Sequence, residues 1–106
     1  MSTSSIAILG CGNIGSAIAK GLEKSGMASE KIILTRRKVE QLVNLQKSGF
    51  QTKDDNCSAV ENSQIILLAV GPSQLMNLLD EINSHLNKHH LLISIVSGVT
   101  ISEIQS

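Results

Sequence analysis

The residues with the most chemical content lie close to the start of the chain, where Gly10-Cys11-Gly12-Asn13-Ile14-Gly15 sets three glycines at GxGxxG spacing. Each glycine answers a different physical demand. The first suits a sharp turn, the second removes a Cβ where a pyrophosphate would approach the backbone, and the third lets a helix pack close to a strand. Such a turn delivers an anion to the positive end of a helix dipole and to the unpaired N–H groups there. Glycines also make ordinary strand-to-helix turns, so context decides. Here Ile6-Ala7-Ile8-Leu9 reads as a strand directly before the motif, and Ile14, Ala17, Ile18, Gly21 and Leu22 recur at helical spacing directly after it. The expected chemistry is dinucleotide binding.

A second discriminator follows about 20 residues beyond the last glycine, where an NAD site carries Asp or Glu to hold the ribose 2′-hydroxyl. This sequence has Leu34-Thr35-Arg36-Arg37-Lys38 instead. A carboxylate would repel a 2′-phosphate, whereas a threonine hydroxyl and two guanidinium groups offer charge-assisted hydrogen bonds to a dianion. NADP(H) is therefore the expected cofactor. The competing reading is a solvated charge run at a helix start, although cations are disfavoured at that end of a helix.

These residues need strands and helices to position them. Ile32-Ile33-Leu34 reads as a second strand, and residues 38–48 as a helix with Val39, Leu42, Val43 and Leu45 inward and Gly49 as its stop. A short strand is expected at 50–52, then a short helix capped by Asp55 or Asn56 and running to Glu61. Residues 65–70 have the continuous hydrophobicity of a strand buried on both faces. Pro72 suits the first turn of a helix whose face is Leu75, Met76, Leu78, Leu79, Ile82 and Leu86, and residues 91–96 supply a fifth strand. Strands alternating with helices predict an α/β, three-layer αβα domain, a doubly wound parallel sheet of the Rossmann type in the order 3-2-1-4-5. Ligand is expected at the carboxyl ends of strands 1 and 4.

Composition sets the outer bounds. A chain of 106 residues suits one domain over 1–106, and a domain of this size buries roughly 60 to 70% of its unfolded surface. Lys+Arg and Asp+Glu are equal at 9 each, which argues against a polyanionic partner such as nucleic acid. Phe50 is the only aromatic residue, so there is no platform for stacking bases and no aromatic belt for a membrane interface. The longest apolar runs fall far short of the roughly 20 residues that span a bilayer. The N-terminus carries no basic leader pattern, so a cytoplasmic protein with reduced thiols at Cys11 and Cys57 is expected.

Other reactive types offer less. His85 and His89 are four apart and suit one helix face, but no ligand set is complete beside them, so no metal is expected. Cys11 sits where a helix N-terminus can lower a thiol pKa, but the favoured reading is a small residue that fits a tight loop. No catalytic acid is expected from this chain, because a nicotinamide cofactor supplies the hydride.

Taken in order, residues 8–14, Thr35-Arg36, Asn56, Leu68-Ala69-Val70-Gly71-Pro72 and residues 94–101 resemble the successive motifs of the pyrroline-5-carboxylate reductase family over the whole chain. The resemblance implies an N-terminal NADP-binding domain of an enzyme that reduces a cyclic imine to proline. It also implies a helical dimerisation and substrate domain outside this chain, and hence a homo-oligomer acting on a small imine. By this resemblance Leu9, Gly10, Cys11, Gly12, Asn13, Ile14 and Gly15 line the pyrophosphate, Thr35, Arg36 and Arg37 approach the 2′-phosphate, and Asn56 lies close to the cofactor. Ala69, Val70, Gly71 and Pro72, with Ile95, Val96 and Ser97, border the nicotinamide.

The pattern departs from the family at Gly71, where lysine is common, and at Ser97, where alanine is. Ser97 reads as tolerance of one small residue for another. Gly71 leaves open another NADP-linked reductase, such as one resembling the coenzyme F420-dependent NADP reductases, or a non-catalytic NADP(H)-binding module.

Overall fold

The computed structural model describes residues 5–10, 12–36 and 39–95. Strand and helix alternate through them: β1 (Ile6–Leu9), α1 (Asn13–Lys24), β2 (Ile32–Thr35), α2 (Val43–Lys47), β3 (Gln51–Lys53), α3 (Asn56–Glu61), β4 (Ile65–Leu68), α4 (Pro72–Ile82) and β5 (Leu91–Ser94). The strands form one parallel sheet of five in the order β3-β2-β1-β4-β5, as the sequence pattern predicts.

Parallel strands need crossovers, and the crossover helices cover both faces. Because side chains alternate across a strand, β1 feeds two cores at once. Ala7 and Leu9 join Ile33, Ile66 and Leu68 beneath Ala59 and Val60 of α3 and Leu78, Leu79 and Ile82 of α4. Ile6 and Ile8 join Ile32, Leu34 and Phe50 beneath Ala19 of α1 and Leu45 of α2. All four residues of β1 and all four of β2 are buried, which is why both read as unbroken apolar runs rather than as alternating patterns.

The helix ends are set by backbone chemistry. After α1 the N–H of Gly26 donates to the carbonyl of Glu23 and that of Met27 to Leu22, while Gly26 takes a positive φ. This is the paired closure that a glycine permits just past a helix, and Met27 and Leu22 both pack on the same core. The end of α2 repeats it, with Gly49 donating to Gln46 and Phe50 to Leu45.

Several expected elements are shorter or turned. The helix expected over 38–48 is a 3-10 turn at Val39–Leu42 followed by α2. Three residues per turn bring Leu42 and Leu45 to the core side and swing Val43 outward, where it is exposed. The fourth strand pairs only as far as Leu68, and it is not fully buried on both faces: Ile66 and Leu68 are buried, Ile65 and Leu67 half-buried. The central strand is β1, as the expected order has it. In α4 the buried stripe runs through Leu75, Leu78, Leu79 and Ile82 at the i, i+3, i+4, i+7 spacing, so Met76, expected inward, falls off it and is 59% exposed. Leu86 lies beyond the helix but still packs on the core. Among the described residues no helix is long and apolar enough to cross a membrane.

These positions predict opposite responses to truncation. Ile66→Ala is expected to cost about 2–5 kcal/mol as a cavity in the core, while Met76→Ala changes stability by no more than about 0.5 kcal/mol. Urea melts followed by far-UV circular dichroism check the contrast, and a loss at Met76 as large as that at Ile66 would contradict the packing described.

Candidate cofactor-binding edge

A parallel sheet places the carboxyl ends of all its strands along one edge, so the segments after β1, β2, β4 and β5 converge there. Backbone bonds hold them together. The Ala69 N–H donates to the Leu9 carbonyl at 2.9 Å, that of Ile95 to Leu68 at 3.0 Å, and that of Arg36 to Lys53 at 3.4 Å.

The three motif glycines divide the work. Gly10 has φ +74°, and a Cβ built on it would stand 2.5 Å from Cγ1 of Val70, so both its backbone conformation and the close approach of the segment after β4 exclude a side chain. Gly15 is buried within α1. Gly12 differs from both. Its φ is −101° with ψ −144°, neither helical nor extended, and a Cβ there would meet nothing within 4 Å among the described residues. The positive φ is therefore at Gly10 and not at Gly12, and among the described residues no neighbour crowds position 12.

Helix α1 starts here without a side-chain cap among the described residues and without an acid in its first turn, while Lys24 sits in its last. Helix α4 also starts on this edge from Gly71 with no side-chain cap, and Pro72 occupies its first turn. By contrast α3 is capped, Asp55 Oδ1 accepting from the Cys57 N–H at 3.0 Å. The 12-residue α1 thus presents first-turn donors to this edge, where an anion is favoured, whereas in α4 Pro72 has no N–H and Gln74 already donates to the Gly71 carbonyl at 3.0 Å. A Cβ on Gly71 would also meet nothing within 4 Å among the described residues. Ile14, in the first turn of α1, is 56% exposed.

Thr35 is placed differently from expectation. It is 1% exposed, and its hydroxyl accepts from the Gly10 N–H at 3.2 Å and donates to Asn56 Oδ1 at 2.5 Å. A hydroxyl has a single proton to give, so none remains for a phosphate. Asn56 Nδ2 in turn donates to the Glu81 carboxylate at 3.3 and 3.4 Å. Arg36 is half-buried at the end of β2, with no ion pair among the described residues.

Leu9, Gly10, Gly12, Asn13, Ile14, Gly15, Thr35, Arg36, Asn56, Ala69, Val70, Gly71 and Ile95 are thus brought to this edge, and α4 begins there at Pro72. The expectations for Cys11, Arg37, Val96 and Ser97 lie outside the described residues. Glu81 was not anticipated, because an acid on the outer side of a helix carries no spacing signal.

The remaining candidates lie elsewhere. Burial first, then the neighbouring carboxylates of Asp55, Glu81 and Glu61, push the Cys57 thiol up, which disfavours a thiolate nucleophile. His85 closes a 3-10 turn and pairs with Glu61, so it does not share a helix face with His89 as the spacing suggested. His90 Nδ1 accepts from the Asn87 N–H at 3.0 Å, which leaves Nε2 to donate to the Val60 carbonyl at 3.0 Å. Among the described residues no three His, Cys, Asp or Glu side chains gather to hold a metal. A recess of about 670 Å³ opens between α2, β3 and the start of α3, lined by Val43, Gln46, Thr52 and Asp55, and so sits beside the glycine turn rather than over it.

Sheet order, glycine turn and open helix N-termini define a Rossmann-type domain with an anion-binding edge. Residues 5–98 match the family described as NADP oxidoreductase coenzyme F420-dependent, and the chain belongs to that family. It is 41% identical over 102 residues to pyrroline-5-carboxylate reductase 1 of Dictyostelium discoideum, covering 95% of this chain and 18% of that protein. It is 44% identical over 103 residues to pyrroline-5-carboxylate reductase 2 of the same organism, covering 95% and 34%. The solved structure of a pyrroline-5-carboxylate reductase from Coxiella burnetii superimposes with a TM-score of 0.82 at 32% identity, over 88% of this chain and 35% of that one. The resemblance read from the motifs is borne out by these matches. The chain spans about a third or less of the length of these relatives.

The glycine geometry predicts that Gly10→Ala destabilises by about 1–3 kcal/mol through a left-handed backbone, whereas Gly12→Ala stays within about 0.5 kcal/mol of the parent. Thermal melts of the two variants, without ligand, decide it; equal losses would show that the turn is built differently.

Proposed function

We propose that this chain is the NADP(H)-binding domain of a reductase acting on a small cyclic imine of the pyrroline-5-carboxylate type, forming proline in the full-length enzyme. One observation carries the reading: among the described residues nothing crowds Gly12 and no side chain caps α1, which starts from it. A missing Cβ beside unclaimed N–H donors fits a pyrophosphate drawn onto the backbone.

The first-turn amides of α1 bind and neutralise the pyrophosphate, and Gly10, Thr35 and Val70 hold the turn in the shape that exposes them. Arg36 stands at the end of β2 where an NAD site has a carboxylate, and supplies charge to a 2′-phosphate. Residues 69–71 and Ile95 border the place of the nicotinamide, whose bound form supplies the hydride. The substrate contacts and dimer interface belong, by resemblance to pyrroline-5-carboxylate reductases, to a helical domain outside this chain. Kinship with imine reductases supports an imine substrate: a solved imine reductase from Myxococcus stipitatus in complex with NADP+ has a TM-score of 0.73 at 28% identity.

The test is calorimetry with NADPH and NADH. The chain has no Trp and no Tyr, so the emission of the reduced nicotinamide serves as a second readout free of protein background. NADPH is expected to bind more tightly, and Arg36→Ala to lose about 1.5–3 kcal/mol of NADPH binding, the range for a hydrogen bond to charge, with NADH little affected. Equal affinities in the parent, or equal losses in the variant, would contradict the assignment of Arg36.

A further inference from the structure

We propose that Thr35, held by Asn56 and Glu81, is a positioning residue that sets the glycine turn for the pyrophosphate and takes no direct part in recognising the 2′-phosphate. The inference rests on the NADP(H) reading above and adds the means by which the turn is held.

The parallel ladder between β1 and β2 runs from Ile6↔Ile32 to Ile8↔Leu34 and stops there. Beyond that point the β2 backbone turns toward β3, the Arg36 N–H donating to Lys53. The Gly10 N–H would lose its partner where the strands part, and the Thr35 side chain supplies one at 3.2 Å. A side chain thus extends the sheet by one bond into the turn, and does so from a buried position.

The direction of every bond in this chain is forced from its far end. An ionised carboxylate only accepts, so Glu81 requires the amino side of the Asn56 amide to face it. That leaves Asn56 Oδ1 toward Thr35, which must donate its single proton there. The Thr35 oxygen then has lone pairs only for Gly10. Glu81 on α4, Asn56 at the start of α3, Thr35 at the end of β2 and Gly10 after β1 form one polarised line across four elements. With no proton to spare and almost no exposure, Thr35 cannot serve a phosphate as donor.

Pyrophosphate is common to both nicotinamide dinucleotides, so a residue acting through the turn affects them alike. Calorimetry with NADPH and NADH on the parent, Thr35→Val and Thr35→Ser reads this. Thr35→Val is expected to weaken both cofactors by the same factor, about tenfold for a lost hydrogen bond of this kind, leaving their ratio unchanged. Thr35→Ser, which keeps the hydroxyl, is expected to restore both to within about threefold of the parent. A loss confined to NADPH would show a direct phosphate ligand and overturn the proposal. So would a lower melting temperature with both affinities of the folded protein unchanged, the mark of a purely structural residue.

Should Thr35→Val fail to fold, the exposed Glu81 carries the same test: Glu81→Ala is expected to weaken both cofactors equally and Glu81→Gln, which keeps an acceptor, to recover them. No loss in Glu81→Ala would overturn the relay. Failure of the parent to bind either cofactor would defeat the NADP(H) reading and this inference together. A parent that binds, with unequal losses in the variants, defeats this inference alone. Independently of any cofactor, the Gly10 amide proton is expected to exchange slowly in the parent and in Thr35→Ser and rapidly in Thr35→Val.

Discussion

Parallel pairing on both sides of β1 is the constraint from which the rest of the molecule follows. A strand flanked by two parallel neighbours points its carboxyl end the same way as theirs, and each return must cross a face of the sheet. Helices therefore lie on both faces, strand residues in the middle are apolar except Thr35 at the end of β2, and the connections leaving β1, β2 and β4 open on one edge. The helices that follow begin where the strands end, so their N-terminal donors gather at that edge as well.

What the edge can bind depends on which donors are left unclaimed. In α3 the Asp55 side chain accepts from the first-turn amide of Cys57, whereas α1 and α4 begin at glycines that have no side chain to offer. The distinction is written in single residues, Asp55 against Gly12 and Gly71. The chain carries no net charge, so no general field draws an anion to this edge, and local dipoles such as the start of α1 are what favour one there.

Much of this was legible in the sequence because the relevant signals are local. Strand order follows from the alternation of apolar runs and helical stretches, and the glycine motif is contiguous with the strand and helix that give it meaning. Periodicity failed where geometry departs from the regular period: the 3-10 turn before α2 swings Val43 outward, and the stripe of α4 passes Met76 by. The hydrogen bonds of Thr35 were hidden for another reason. Its partners are 25 residues upstream and 21 residues downstream, so residue type suggested a phosphate ligand while the fold had already committed the hydroxyl to Gly10 and Asn56. The sharp turn expected at Gly10 is where the backbone takes a positive φ, just past the last residue of β1.

The central claim is that the turn after β1 and the start of α1 receive the cofactor, and amide chemical shifts test it at the atoms concerned. In a titration of the isotope-labelled chain with NADPH, the amides of Gly12, Asn13, Ile14 and Gly15 should show the largest perturbations, with Gly71 at the start of α4 moving alongside them. Shifts confined to the recess around Thr52 and Asp55, with the glycine-turn amides unmoved at saturation, would contradict it.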